Sequence, residues 1–198
     1  AVILAINSKS FSVRSFVIAL APHYPVYKIL FSYPQESTCQ AHTPLAACHP
    51  DREYPCYISI TRERLKAAGV PYVIENVVGA PLINPVQLCG SSFGLKVRRH
   101  RLFEASFPIL PLPCAHEAQG QPIDVSGTGS RRLGPRTDGK GGNPNKPRNL
   151  AEARDAMGIY WMSRREISQA IPPAFSEYIA RAFMAQLEPE LMTEESGL

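Results

Sequence analysis

The chain has 198 residues, enough for one domain with its own core, and its 44% hydrophobic and 19% charged residues are ordinary for a globular protein. The formal net charge is only +4, and the five cysteines form no CxxC pair and no regular spacing. This excludes a disulfide framework and implies a reducing compartment. No stretch is long and apolar enough to span a membrane. In chain order, Phe16–Leu20 and Val26–Phe31 are short apolar runs that predict buried strands, split by Pro22 and Pro25. Residues 36–60 are polar and Pro-rich and predict a loop. Thr61–Ala68 predicts a helix stopped by Gly69, and Pro71–Ile74 a strand that ends at Glu75-Asn76. Helix, glycine, strand and an acidic residue at the strand's end make the αβ unit of a parallel sheet, and open α/β sheets put their chemistry at such strand ends.

Arg101–Phe107 predicts another strand. Residues 108–147 predict a Gly- and Pro-rich loop segment. Asn149 caps a helix that runs to Met157 and stops at Gly158. Ser163 and Glu166 make a capping box, and Pro173 starts a last helix whose Phe175, Ile179, Phe183 and Leu187 recur at helical spacing. The acidic tail after Glu188 reads as frayed. Charge is unevenly spread. Lys96–Arg148 holds ten Lys/Arg against four Asp/Glu, a local +6, and the rest of the chain carries −2. A basic middle segment suits a polyanion such as nucleic acid.

Three blocks follow one another along the chain. They are Ser37-Thr-Cys-Gln-Ala-His, then Pro71-Tyr-Val-Ile-Glu-Asn-Val-Val-Gly, then Leu88-Cys-Gly-Ser-Ser-Phe-Gly-Leu-Lys-Val-Arg-Arg-His-Arg-Leu-Phe-Glu. In order they resemble the Pro-Cys-Gln, Glu-Asn-Val and Arg-x-Arg motifs of DNA (cytosine-5) methyltransferases. Ala156-Met-Gly-Ile-Tyr-Trp-Met and Gln169-Ala-Ile-Pro-Pro-Ala are similar to the closing motifs of compact, phage-type members, so the resemblance covers about residues 36–187. It implies an α/β fold, the Rossmann-like S-adenosylmethionine-dependent methyltransferase fold, incomplete at the N-terminus. Residues 1–107 would be a partial catalytic core, 108–148 a target-recognition insert and 149–198 the helices that close the core.

The resemblance implies roles residue by residue. Cys39 would be the nucleophile that adds to carbon 6 of cytosine, turning a poor carbon-5 nucleophile into an enamine. Glu75 would hold a proton at ring nitrogen 3. Of Arg99 and Arg101, one would bind the cytosine oxygen and the other would orient Glu75; Arg suits planar bidentate contacts. Gln40 and Asn76 would support the site. Arg98, Arg131, Arg132, Arg136, Lys140 and Arg148 would contact DNA. The partner implied is double-stranded DNA with a flipped cytosine, bound by a monomer. The sequence departs from the pattern where Thr38 replaces the proline before the cysteine and Val97 replaces a glutamine.

The cofactor implied is S-adenosylmethionine, yet its Gly-rich loop is not found, because the first glycine of the chain is Gly69. Residues 17–27 resemble the region after the family's second strand, without its acidic ribose ligand. Residues 28–38 are too few for a helix-plus-strand return, so the N-terminal part reads as truncated, deleted or out of frame. Two other readings stand beside the enzyme: a non-catalytic DNA-binding remnant of one, favoured by the missing glycines, and a small zinc-binding module. Cys39, His42, Cys48 and His49 sit close in sequence and Cys114-x-His116 follows later. They lack the tight, repeated spacing of structural zinc ligands, so no metal site is expected.

Overall fold

A computed structural model describes residues 3–6, 14–19, 27–32, 42, 51, 56–126 and 143–195, with side chains for 42, 51, 56–126 and 143–187. Among the described residues six strands form one sheet in the order β1-β2-β3-β4-β6-β5. They are β1 (Ile3–Ile6), β2 (Arg14–Ala19), β3 (Tyr27–Ser32), β4 (Tyr72–Asn76), β5 (Val86–Leu88) and β6 (Arg101–Ala105). The helices are α1 (Ile58–Ala67), α2 (His116–Gln119), α3 (Leu150–Met157), α4 (Arg164–Gln169) and α5 (Pro173–Glu195).

Both apolar runs near the N-terminus become strands, but their pairing is not that of a doubly wound sheet. β1 with β2, and β2 with β3, are antiparallel. The connections 7–13 and 20–26 are too short for anything else, since a parallel crossover takes about a dozen residues or more. Between β3 and β4 the chain is long enough and carries α1, and this pair is parallel. β4 and β6 then pair antiparallel, with Glu75 opposite Phe103 and Asn76 opposite Leu102.

The chain divides into two compact units. One comprises Ala1–Gln87, Arg101–Pro111 and Gln186–Leu198, the other Leu88–His100 and Leu112–Ala185. These units cut across the expected segments 1–107, 108–148 and 149–198. Packing explains the second unit. Val97 and Val125 share a buried cluster with Ala153, Ala156, Met157, Ile159 and Ile167, so residues before and after β6 join α3 and α4 in one core. Phe93 adds to this unit, with its ring 5.2 Å from that of Phe175 and 5.7 Å from that of Tyr178.

In the first unit α1 covers one face of β4, where Leu65, Tyr72 and Ile74 pack together with Leu82. Within this face lies an ion pair that the sequence did not reveal. Arg62 grips Glu104 through two hydrogen bonds of 2.6 and 2.8 Å, and the Ile83 amide donates a third to the same carboxylate. Gly69 ends α1 as expected, at φ +64, a left-handed conformation that a side chain disfavours.

The helix ends of the second unit follow the local sequence. Asn149 accepts a hydrogen bond from the Glu152 amide at 2.8 Å, and Gly158 caps α3 at the other end. Ser163 and Glu166 form the capping box of α4. α5 runs on to Glu195, past the point where the acidic tail reads as frayed. Asn149→Ala should lower stability by about 1 kcal/mol, as loss of a side-chain N-cap does. Urea denaturation should show this as a lower midpoint at unchanged slope.

Candidate functional site

β4 is buried along its whole length, so whatever it presents at its C-terminal end is held on a rigid element. Side chains alternate across a strand. Ile74 and Glu104 are directly paired and therefore share a face, the one that α1 covers. Glu75 and Phe103 take the opposite face, and Arg101, two residues before Phe103, is their diagonal neighbour there. The geometry closes as this alternation requires. Arg101 Nε lies 2.9 Å from Glu75 Oε1, with the carboxylate side chain 7% exposed. A guanidinium thus fixes the orientation of a buried carboxyl at the end of a strand.

Asn76 follows, 1% exposed. Its Oδ1 accepts from the Val77 amide at 2.8 Å, which shapes the turn out of the strand. Its Nδ2 is buried and has no hydrogen-bond partner among the described residues. A buried donor left unsatisfied costs about 1–3 kcal/mol, so such a group usually answers to a partner of some kind.

Of the other expected site residues, Arg99 belongs to the second unit. Its Nη2 donates to the Ser168 carbonyl at 2.9 Å, and its backbone is left-handed at φ +39, a strained state for a residue other than glycine. Arg98 is exposed and reaches Gln119 Oε1 at 3.4 Å. Arg148 is exposed, with its Nε 3.9 Å from Glu152. Cys39, Gln40, Arg131, Arg132, Arg136 and Lys140 lie outside the described residues. The structure therefore brings Glu75 and Arg101 into contact and places Asn76 beside them in the chain.

The second unit holds two features that sequence reasoning missed. Tyr160 and Trp161, between α3 and α4, are 63% and 66% exposed despite their size. The other is a cluster of Cys89, His100, Cys114 and His116, whose Sγ and ring-nitrogen atoms all lie within 4.8 Å of one another. Cys89 Sγ is 3.2 Å from His116 Nε2, and Cys114 Sγ is 3.5 Å from His100 Nε2. Burial, and then the like charges of His116 and Arg98, push His100 below the ordinary imidazole pKa.

A tight fold-back builds this cluster. Gly90 N–H donates to the Arg98 carbonyl at 2.6 Å. A Cβ at Gly90 would fall 2.1 Å from the Val97 oxygen, so only glycine permits the approach. Of these four residues the sequence brings only Cys114 and His116 close together, and without the repeated spacing of structural zinc ligands.

In comparisons with known proteins, no family model, no curated protein and no solved structure matches the chain.

Proposed function

We propose that this chain is the cytosine-activating and DNA-binding part of a DNA (cytosine-5) methyltransferase. The observation that carries the reading is the buried Glu75 carboxyl held by Arg101 at the end of β4. The Glu-Asn-Val and Arg-x-Arg resemblance asks for one arginine to orient that glutamate, and this contact supplies it. Asn76, next to Glu75 in the chain, supports the reading in another way: its Oδ1 accepts from the Val77 amide and holds the turn out of β4, the supporting role that the resemblance gives it. The parallel pair of β3 and β4, with antiparallel β6 beside it, suits one half of an open α/β sheet, since doubly wound sheets commonly carry an antiparallel strand toward the edge.

In this reading a cytosine leaves the base stack and enters the site. The Cys39 thiolate forms a bond to carbon 6, and the π pair of the 5,6 double bond moves into the ring. Glu75 delivers a proton to nitrogen 3, which neutralises the charge that develops there. Carbon 5 becomes an enamine carbon able to attack an electrophile.

Methyl transfer from S-adenosylmethionine is the activity that the resemblance implies, but the residues present do not fit that cofactor. Its phosphate-free sulfonium and ribose would still need a close backbone approach of the kind glycines provide after the first strand. No glycine precedes Gly69, and β1, β2 and β3 form an antiparallel meander in place of a strand-turn-helix unit. The same observations favour a second reading, a DNA-binding remnant without catalysis. Exchange of the carbon-5 hydrogen separates the two and is taken up in the Discussion.

DNA binding is tested on its own. The chain contains a single tryptophan, and Trp161 is exposed in the unit that carries the insert, so its fluorescence should report duplex binding. With six or more phosphates neutralised, affinity should fall by about 10³-fold or more between roughly 50 and 200 mM salt. Replacing Arg131, Arg132 and Arg136 by Ala should weaken binding to every sequence if they meet phosphates. It should instead relax sequence preference, by about 1–3 kcal/mol per bidentate contact, if one reads a base edge. Salt-independent binding, or none at low salt, would remove the nucleic-acid reading.

A further inference from the structure

The geometry points to a tetrahedral zinc site formed by Cys89, His100, Cys114 and His116, with a structural role in the unit that carries the recognition insert. This inference does not rest on the proposed enzyme activity.

Four donors of the right kind converge there. Zinc takes thiolate sulfur at about 2.3 Å and imidazole nitrogen at about 2.0–2.1 Å, so the edges of its tetrahedron run from about 3.3 to 3.8 Å. The two sulfur-to-nitrogen separations of 3.2 and 3.5 Å fall at this scale, and all four atoms lie within 4.8 Å of one another. Both imidazoles present Nε2 to a sulfur. The rings sit 5.2 Å apart at 63°, edge to face. A tetrahedral set of two sulfurs and two nitrogens selects zinc over calcium or magnesium, which prefer oxygen ligands.

The site is also braced as a metal site requires. Cys89 is 1% exposed, and its Sγ lies 3.3 Å from the Arg98 carbonyl and 3.0 Å from Ser91 Oγ. Ser91 Oγ in turn accepts from the Ala115 amide at 3.0 Å, and Ser92 Oγ donates to the Pro113 carbonyl at 2.7 Å. These bonds lock the turn after β5 onto the segment that holds Cys114 and His116. Outer contacts of this sort orient first ligands.

Charge balances too. Binding releases one proton from each thiol, and the two thiolates neutralise Zn²⁺, which leaves a neutral centre with no change of redox state. All four positions are filled by protein, as in sites that hold structure rather than open a place for substrate. The ion would tie the end of β5, the residue between Arg99 and Arg101, and the start of α2 into one knot.

The test uses the full chain, expressed in zinc-supplemented medium and purified in reducing buffer without chelator. Elemental analysis should find about one zinc per chain. Cobalt exchange should give intense tetrahedral ligand-field bands and a charge-transfer intensity that counts two thiolates. Chelation should lower Tm by roughly 5–10 °C, and zinc but not magnesium should restore it. Cys114→Ser and His116→Ala should lose the metal, while Cys56→Ser, at an exposed cysteine next to His42, should keep it.

The cobalt spectrum of the unaltered chain decides the matter even where a variant fails to fold. No metal together with no cobalt bands overturns the proposal, as does a thiolate count other than two. So does metal lost in Cys56→Ser but retained in Cys114→Ser, or a Cys89–Cys114 crosslink that persists in the reducing buffer.

Discussion

In a duplex with tritium at carbon 5 of cytosine, the chain should release tritium to water without any methyl donor, and Cys39→Ser should abolish the release. Thiolate addition to carbon 6 makes carbon 5 an enamine carbon. Solvent then protonates it, and loss of the original hydrogen with expulsion of the thiolate restores cytosine. The balance needs only water, so the result is independent of the cofactor. Glu75→Gln should slow exchange by about 10²–10⁴-fold, the usual contribution of a placed general acid. Arg101→Ala should slow it as well, because Arg101 holds the Glu75 carboxyl at 2.9 Å. Duplex affinity read through Trp161 should stay within a few-fold in Glu75→Gln, since that change removes a proton donor and no phosphate contact. If the unaltered chain binds duplex with the expected salt dependence yet releases no tritium, it is the non-catalytic remnant. Release that survives Cys39→Ser would move the nucleophile elsewhere.

Arg62→Ala should destabilise the first unit by about 3–5 kcal/mol at neutral pH, the effect of stranding a buried charge. Glu104 is 3% exposed and takes hydrogen bonds from Arg62 and from the Ile83 amide. Without Arg62 the carboxylate keeps its desolvation cost and loses most of the compensation. Arg62→Leu combined with Glu104→Leu should cost much less, because it removes both charges.

The pair also sets an acid limit. Burial pushes the Glu104 carboxyl up, but the Arg62 hydrogen bonds, the Ile83 amide and the Arg62 charge outweigh it and hold the group below its ordinary 4.5. A depressed native pKa contributes stability that is present above 4.5 and is lost as pH falls through the lower native value. Denaturation across pH 7 to 3 should therefore show the unaltered chain losing stability below pH 4.5, with a shallower loss in the double variant. An unchanged pH profile in that variant would remove Glu104 as the cause.

Local features of this protein were legible in its sequence because their causes lie within a few residues. Asn149, Gly158, Ser163 with Glu166, and Gly69 set helix ends by hydrogen bonds and backbone conformation that need no distant partner. Strands β2, β3, β4 and β6 follow from apolar runs. Once β4 and β6 are paired, alternation across the sheet is enough to put Arg101 diagonal to Glu75. The antiparallel N-terminal pairing was implicit in the short connections, although the resemblance pointed toward parallel strands. What only the tertiary structure decided is long-range. β5 has three residues, too few for a periodic signal, and the two units recombine segments that are distant in the chain. The Cys89, His100, Cys114 and His116 cluster depends on the fold-back at Gly90 and on the Ser91 and Ser92 bonds to residues 113–115. Spacing along a chain encodes a metal site only when one turn or helix holds its ligands. Here three separate segments converge, and that convergence is a property of packing.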